Sequence, residues 1–373
     1  MPPRFTKLAQ SLPATVPFIG PETMERDRGA PFDARLGANE NVFGPSPAAL
    51  EAMRAADAEI WKYGDATSWD LRHALALHHR VCPENIVVGE GIDGLLGYTV
   101  RLLVEPGDRV VTSAGAYPTF NYHVAGFGGD LRTLPYRDDR EDLPALIAEA
   151  ARVDAKLVYL ANPDNPMGSY WTGAEIAAAL DGLPEGTLLL LDEAYAEFAP
   201  EDAALPLPYD DPRVLRMRTF SKAYGMAGAR VGYAMGAAET IRAFEKIRNH
   251  FGMNRSAQIG ALAALADQPY LAQVTAQVEA ARAEIMRIAG EAGLSALPSA
   301  TNFVTVDCGG TGDLARAVVG ALGRRGIFVR MPFVAPQDRC IRISCGQPDD
   351  LRRLETVLAE AVAEARAQVT TPA

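Results

Sequence analysis

Apolar residues first recur along the chain as short continuous runs separated by helical patterns. Ile86-Val87-Val88, Arg109-Val110-Val111-Thr112, Leu157-Val158-Tyr159-Leu160, Leu188 to Leu191, Val214-Leu215-Arg216-Met217 and Val231-Gly232-Tyr233-Ala234 are such runs. A strand with one wet face alternates apolar and polar residues, whereas a continuous run is covered on both faces. These runs therefore predict an α/β fold: a mostly parallel central sheet with helices on both faces. From about Tyr270 to Ala292 the period changes, and Leu271, Val274, Val278, Ala281, Ile285 and Ile288 fall near helical spacing, which predicts one long helix. Beyond it, strand-like 302–306, 326–330 and 340–344, helical 313–323 and a last helix from about Asp349 predict a small α+β domain. Residues 1–35 are rich in proline and charge without a sustained period, and read as an extended N-terminal arm. The expected division is an arm over 1–35, a large domain over 36–265 and a small C-terminal domain over 266–373.

Composition narrows the chemistry. The 373 residues are 48% hydrophobic and 22% charged, the balance of an ordinary soluble globular protein. A net charge of −11 opposes nucleic acid and anionic membranes, so any phosphate site must be local. The longest aliphatic run, Leu188 to Leu191, is far short of the roughly 20 residues that cross a bilayer. Met1 to Lys7 lacks the apolar core of a signal peptide. Cys82, Cys308, Cys340 and Cys345 are scattered without a CxxC pair, which fits a reducing, cytoplasmic location. The five histidines have no metal-ligand spacing, and no metal is expected. Only five lysines occur, Lys7, Lys62, Lys156, Lys222 and Lys246, so chemistry that needs an amine has few candidates.

Four motifs fall at strand ends. Gly89-Glu90-Gly91-Ile92-Asp93-Gly94 follows a strand and opens a helix. It satisfies the dinucleotide pattern GxGxxG, but the acid expected about 20 residues on would be Asp108, which precedes its strand instead of ending it. What survives is a glycine turn at a helix N-terminus, suited to a phosphate of any origin. Leu188 to Leu191 followed by Asp192-Glu193 resembles a Walker B strand, yet no lysine stands in a Gly-Lys-Ser/Thr context, which excludes a nucleotide triphosphatase. Asn162-Pro163-Asp164-Asn165-Pro166-Met167-Gly168 is a turn by composition. Thr219-Phe220-Ser221-Lys222-Ala223-Tyr224-Gly225, with Arg230 following, brings a hydroxyl, an amine and a guanidinium to another strand end. Open α/β sheets place ligands at such ends. A phosphate cup, an amide, a carboxylate and an amine that converge there make the set a pyridoxal 5′-phosphate site requires.

In order and spacing these residues, with Ala38-Asn39-Glu40-Asn41, Gly44-Pro45-Ser46-Pro47, Trp61-Lys62-Tyr63-Gly64-Asp65, Tyr117, Asp192-Glu193-Ala194-Tyr195, Gly228-Ala229-Arg230, Phe328-Val329-Arg330 and Ile341-Arg342-Ile343, resemble the histidinol-phosphate aminotransferase family. These are class II-type aminotransferases of fold-type I, and the resemblance spans nearly the whole chain. It implies that Lys222 binds the cofactor aldehyde and moves the substrate proton, that Asp192 pairs with the ring nitrogen, and that Asn165 and Tyr195 donate to the ring oxygen. It further implies that Tyr117 stacks on the ring, and that the phosphate takes the amides of Gly91, Ile92 and Asp93 with Ser221, Arg230 and Tyr63 of the partner subunit. Arg342 would clamp a carboxylate, Arg330 would hold a second anionic group, and Asn41 would join them at the substrate. A homodimer exchanging amino groups between histidinol phosphate, or an aromatic or other bulky donor, and 2-oxoglutarate is expected.

The sequence departs from the family pattern at Val42, Ile92 and Met167, where proline, a small residue and threonine are usual, and Met331-Pro332-Phe333 is apolar for a phosphate-bearing donor. The resemblance extends to decarboxylases of the threonine-phosphate type, which share the cofactor residues and break a different bond at Cα. A non-catalytic cofactor-binding regulator is disfavoured, because a 35-residue arm is too short for a DNA-binding domain and the net charge opposes one.

Overall fold

All six apolar runs form strands of one seven-stranded sheet in the computed structural model of the protein, which describes residues 3–14 and 19–370. Residues 1, 2 and 15–18 of the expected arm, and 371–373, lie outside the described residues. The chain-order strands are β1 (Ala34–Arg35), β2 (Ile86–Gly89), β3 (Arg109–Ser113), β4 (Asp130–Leu134), β5 (Leu157–Ala161), β6 (Leu188–Asp192), β7 (Val214–Thr219), β8 (Gly232–Met235), β9 (Ser295–Ala296), β10 (Phe303–Asp307), β11 (Ile327–Phe328) and β12 (Cys340–Ser344). The central sheet runs β2-β8-β7-β6-β5-β3-β4, with β8 antiparallel to both neighbours and the other pairs parallel.

The continuous runs are explained by two cores. Leu188 and Leu190 of β6 pack into one cluster with Leu157 and Tyr159 of β5, whereas Leu189 and Leu191 pack into the opposite one with Val158 and Leu160. Each strand therefore buries alternate side chains on opposite faces, both covered by helices. The strand β4 was not legible as a run because it is the sheet edge: Asp130, Arg132 and Thr133 leave it part-exposed.

The C-terminal part packs three helices, Gln268–Glu291, Gly312–Arg324 and Pro348–Thr370, against the antiparallel sheet β9-β10-β12. The helix boundaries fall within a few residues of the periodicity. The expected strand over 326–330 does not enter this sheet: β11 pairs in parallel with β1. Ala34 and Leu36 accordingly pack in the same core as Val274, Phe303 and Leu354. Upstream of β1, part of the arm is helical, not extended. Pro21–Arg28 begins with proline at its first position and stops at left-handed Gly29, both standard end signals. Arg35 ties it down through Glu25 at 2.6 Å. Among the described residues, no helix is long and apolar enough to cross a membrane.

Candidate active site

The carboxyl ends of β2, β5, β6 and β7 open into a cavity of about 320 Å3. On β6 the alternation that sends Leu190 to one face carries Asp192 to the same face, and the register sets it beside Ala161 of β5. Asp192 is 5% exposed. Its Oδ2 accepts from the Tyr159 hydroxyl at 2.7 Å and its Oδ1 from the Ala194 amide at 3.0 Å. Burial pushes its carboxyl up to about 6, against the pull of those two donors. It is therefore an anion at neutral pH.

Lys222, three residues beyond β7, lines the same cavity and donates from Nζ to the carbonyl of Asn39 at 3.1 Å. Asn39 also donates from Nδ2 to the Tyr195 hydroxyl at 3.0 Å. That bond uses Tyr195 as an acceptor and leaves its O–H to point elsewhere. Asn39 holds this position in a left-handed conformation, φ 54°, pinned by Ser344, whose hydroxyl donates to Asn39 Oδ1 and accepts from its amide, both at 3.0 Å.

The helix Gly91–Leu103 starts directly after β2 with no side-chain cap, so its first amides lack intrahelical partners. Gly91 has φ +77°, and a Cβ there would fall 2.5 Å from Nη2 of Arg230. The glycine thus permits both the turn and the approach of the guanidinium. Arg230 donates from Nη1 to Ser221 Oγ at 3.3 Å and reaches Asp93 at 3.6 Å. Tyr117 lines the cavity and donates to Asp93 Oδ1 at 2.9 Å.

On the opposite wall, Arg342 of β12 donates from Nη1 to Asn165 Oδ1 and from Nη2 to the Gly37 carbonyl at 3.2 Å. Its Nε is buried without a hydrogen-bond partner. Burial lowers this guanidinium to about 10. The Asp164 carboxyl attracts it through space. Arg330, whose backbone bridges to Arg342, lines the cavity too and donates to the Ile19 carbonyl at 2.5 Å.

The structure thus brings together Lys222, Asp192, Asn165, Tyr195, Tyr117, Ile92, Asp93, Ser221, Arg230, Arg330 and Arg342, with Gly91 directly behind. Two expected residues stand elsewhere. Asn41 does not reach the cavity, since its Nδ2 is spent on the Ala223 carbonyl and its Oδ1 on the Phe43 amide, at 3.0 and 3.1 Å. Asn39, two residues earlier, lines it instead. Tyr63 is 81% exposed and packs on Phe251, away from this subunit's cavity. Tyr159 was legible only as a strand residue, because its hydroxyl matters only through the register of β5 against β6.

Comparison with known proteins agrees with this geometry. The family described as aminotransferase class I and II matches residues 34–358. Histidinol-phosphate aminotransferase 2 of Carboxydothermus hydrogenoformans is 34% identical over 350 residues, covering 92% of this chain and 94% of the relative. The histidinol-phosphate aminotransferase of an Anaeromyxobacter species is 38% identical over 324 residues, covering 86% and 88%. The crystal structure of histidinol-phosphate aminotransferase from Sinorhizobium meliloti, in complex with pyridoxal 5′-phosphate, is 55% identical with a TM-score of 0.93, covering 96% of this chain and 98% of that one. Matched by the family model over 34–358 and by these relatives along most of their length, the chain belongs to the aminotransferase class I and II family.

Proposed function

We propose that the protein transfers an amino group from histidinol phosphate, or a related bulky donor, to 2-oxoglutarate with pyridoxal 5′-phosphate as cofactor, as a homodimer. The observation that carries the reading is the convergence of Lys222, buried Asp192 and Arg342 on one cavity. The residues present fit the cofactor. The uncapped helix with Gly91, Ser221 and Arg230 suits its phosphate, anionic Asp192 its ring nitrogen, and the unspent donors of Asn165 and Tyr195 its ring oxygen, with Tyr117 against the ring. When bound, the cofactor supplies an electron sink for the negative charge left at the substrate Cα.

The chain's residues do the rest. Arg342 draws in the donor's anionic group with its guanidinium, and Arg330 takes a second one once it releases the Ile19 carbonyl. Asp192 keeps its charge against the ring nitrogen. Lys222 would act as general base, taking the substrate Cα proton and holding it at Nζ. The phosphate-bearing donor is favoured by two arginines on one wall, while Met331, Pro332 and Phe333, which also line the cavity, suit an aromatic side chain. We read 1–35 as an arm, 36–265 as the cofactor-binding domain and 266–373 as the small domain. Ile60, Trp61, Tyr63 and Phe251 form an exposed apolar surface, which supports a dimer in which Tyr63 reaches the partner's phosphate site.

A single-turnover absorbance titration of the cofactor-loaded protein, without oxo acid, tests the reading. Histidinol phosphate should convert the cofactor to its aminated form. Conversion by phenylalanine or tyrosine with histidinol phosphate inert would change the donor. Release of CO2 without oxo-acid formation would instead make the protein a decarboxylase.

A further inference from the structure

One side chain behind the cavity wall bears on the reactive amine. Asn302 stands just before β10 and is 1% exposed. Its Nδ2 donates to the Asn39 carbonyl at 3.1 Å and to the Glu40 carbonyl at 3.4 Å. Its backbone carbonyl accepts from the Cys345 amide at 2.8 Å, which fastens it to the end of β12. The Asn39 carbonyl is the one to which Lys222 donates from Nζ, also at 3.1 Å. A carbonyl oxygen has two lone pairs, so it can serve Asn302 and Lys222 at once. Oδ1 of Asn302 is buried without a hydrogen-bond partner among the described residues. An unpaired buried acceptor costs stability, so what this amide contributes is its donor.

We propose that Asn302 is a positioning residue for proton transfer, holding the Asn39 carbonyl as a standing acceptor for the Lys222 amine. The inference rests on the reading of Lys222 as general base. That role requires the amine to be engaged with the cofactor at one stage and free at another. A buried carbonyl with Lys222 as its sole donor would lose its partner at every turnover, and the peptide between Asn39 and Glu40 could turn toward another donor. Ser344 does not prevent this, since it binds the amide and Oδ1 of Asn39 and leaves the carbonyl alone. Asn302 bonds that carbonyl and the next one, and so fixes the peptide plane whether or not the amine is there. A returning Lys222 places one N–H on the waiting carbonyl, which leaves its lone pair to take the substrate Cα proton at Nζ. The electron pair of the broken C–H bond stays with the substrate carbon, and the ammonium formed keeps the same acceptor.

Asn302→Leu keeps most of the side-chain bulk and removes the donor. In crystals of the cofactor-free protein, the Lys222 amine should sit on the Asn39 carbonyl in the wild type and off it in Asn302→Leu. Its absence from that carbonyl in the wild type, or its presence there in the variant, overturns the proposal. In the cofactor-loaded variant, single-turnover conversion by the donor should slow by up to about 100-fold, the cost of misplacing a catalytic group by about 1 Å. A Cα-deuterated donor should then show a full primary isotope effect, while donor KM and cofactor affinity change little. A packing defect would instead move KM and cofactor affinity and leave the isotope effect alone, so an unchanged rate, or a slowed one without an isotope effect, also overturns the proposal. Asn302→Ala, the smaller side chain, carries both tests where Asn302→Leu does not fold. The crystal readout needs no reaction, so its failure counts against Asn302 alone, whereas a loaded wild type that no donor converts counts against the transaminase reading.

Discussion

Tyr159 stands one strand from Asp192 and donates its hydroxyl to Oδ2 at 2.7 Å. This bond supports the ionised carboxylate in a place where burial opposes it. Burial pushes the Asp192 carboxyl up to about 6 before the cofactor binds, and a protonated ring nitrogen beside it would draw it lower, so its charge, and with it the grip on that nitrogen, should be lost on the acid side of that value. Removal of the hydroxyl in Tyr159→Phe takes away a hydrogen bond to a charged group, which should move the acid limb of kcat up by roughly one pH unit. A pH–rate profile of the variant checks this, and an unmoved acid limb would count against Asp192 as the titrating group.

Lys222 is the amine of the cavity. Lys222→Ala should reduce turnover on the order of a thousandfold or more, since general base catalysis alone contributes about 100- to 10,000-fold. Single-turnover absorbance with an excess of donor is the measurement. Full activity in this variant would remove the lysine from the reaction.

Arg342 is enclosed among neutral partners and lowered by burial to about 10. Replacement by an apolar residue of similar length, Arg342→Met, should raise the donor KM by about 100-fold. The thermal midpoint of the cofactor-free protein should change little, because the desolvation of an enclosed cation offsets most of what its hydrogen bonds and the nearby Asp164 carboxyl contribute. The two readouts separate an anion clamp from a packing residue.

Gly91 combines positive φ with a guanidinium at the site of its absent Cβ. Gly91→Ala should cost about 1–2 kcal/mol for the left-handed backbone and displace Arg230. Cofactor affinity, followed by fluorescence quenching, should drop on the order of tenfold, whereas Gly107→Ala, also at positive φ but in open space, should lower stability alone.

The sheet was legible because parallel strands covered on both faces leave continuous apolar runs, and Leu188 to Leu191 is the plainest of them. The edge strand β4 and the pairing of β1 with β11 were not legible. The first has a half-wet polar pattern, and the second joins two-residue strands separated by nearly three hundred positions of chain. The placement of Lys222 and Asp192 in one cavity follows from motifs at strand ends, whereas Arg342, in the middle of β12, was legible only through the family resemblance. That Asn39 lines the cavity while Asn41 is bonded away from it was not legible, since both stand in the same short stretch.

Asn39 joins parts of the molecule that are distant in sequence. Arg342 and Ser344 occupy the same face of β12, two residues apart. Ser344 fixes Asn39, and Asn39 offers its carbonyl to Lys222. A donor seized by Arg342 therefore bears on the same strand that sets the bearing of the reactive amine, so grip and aim share one lever arm.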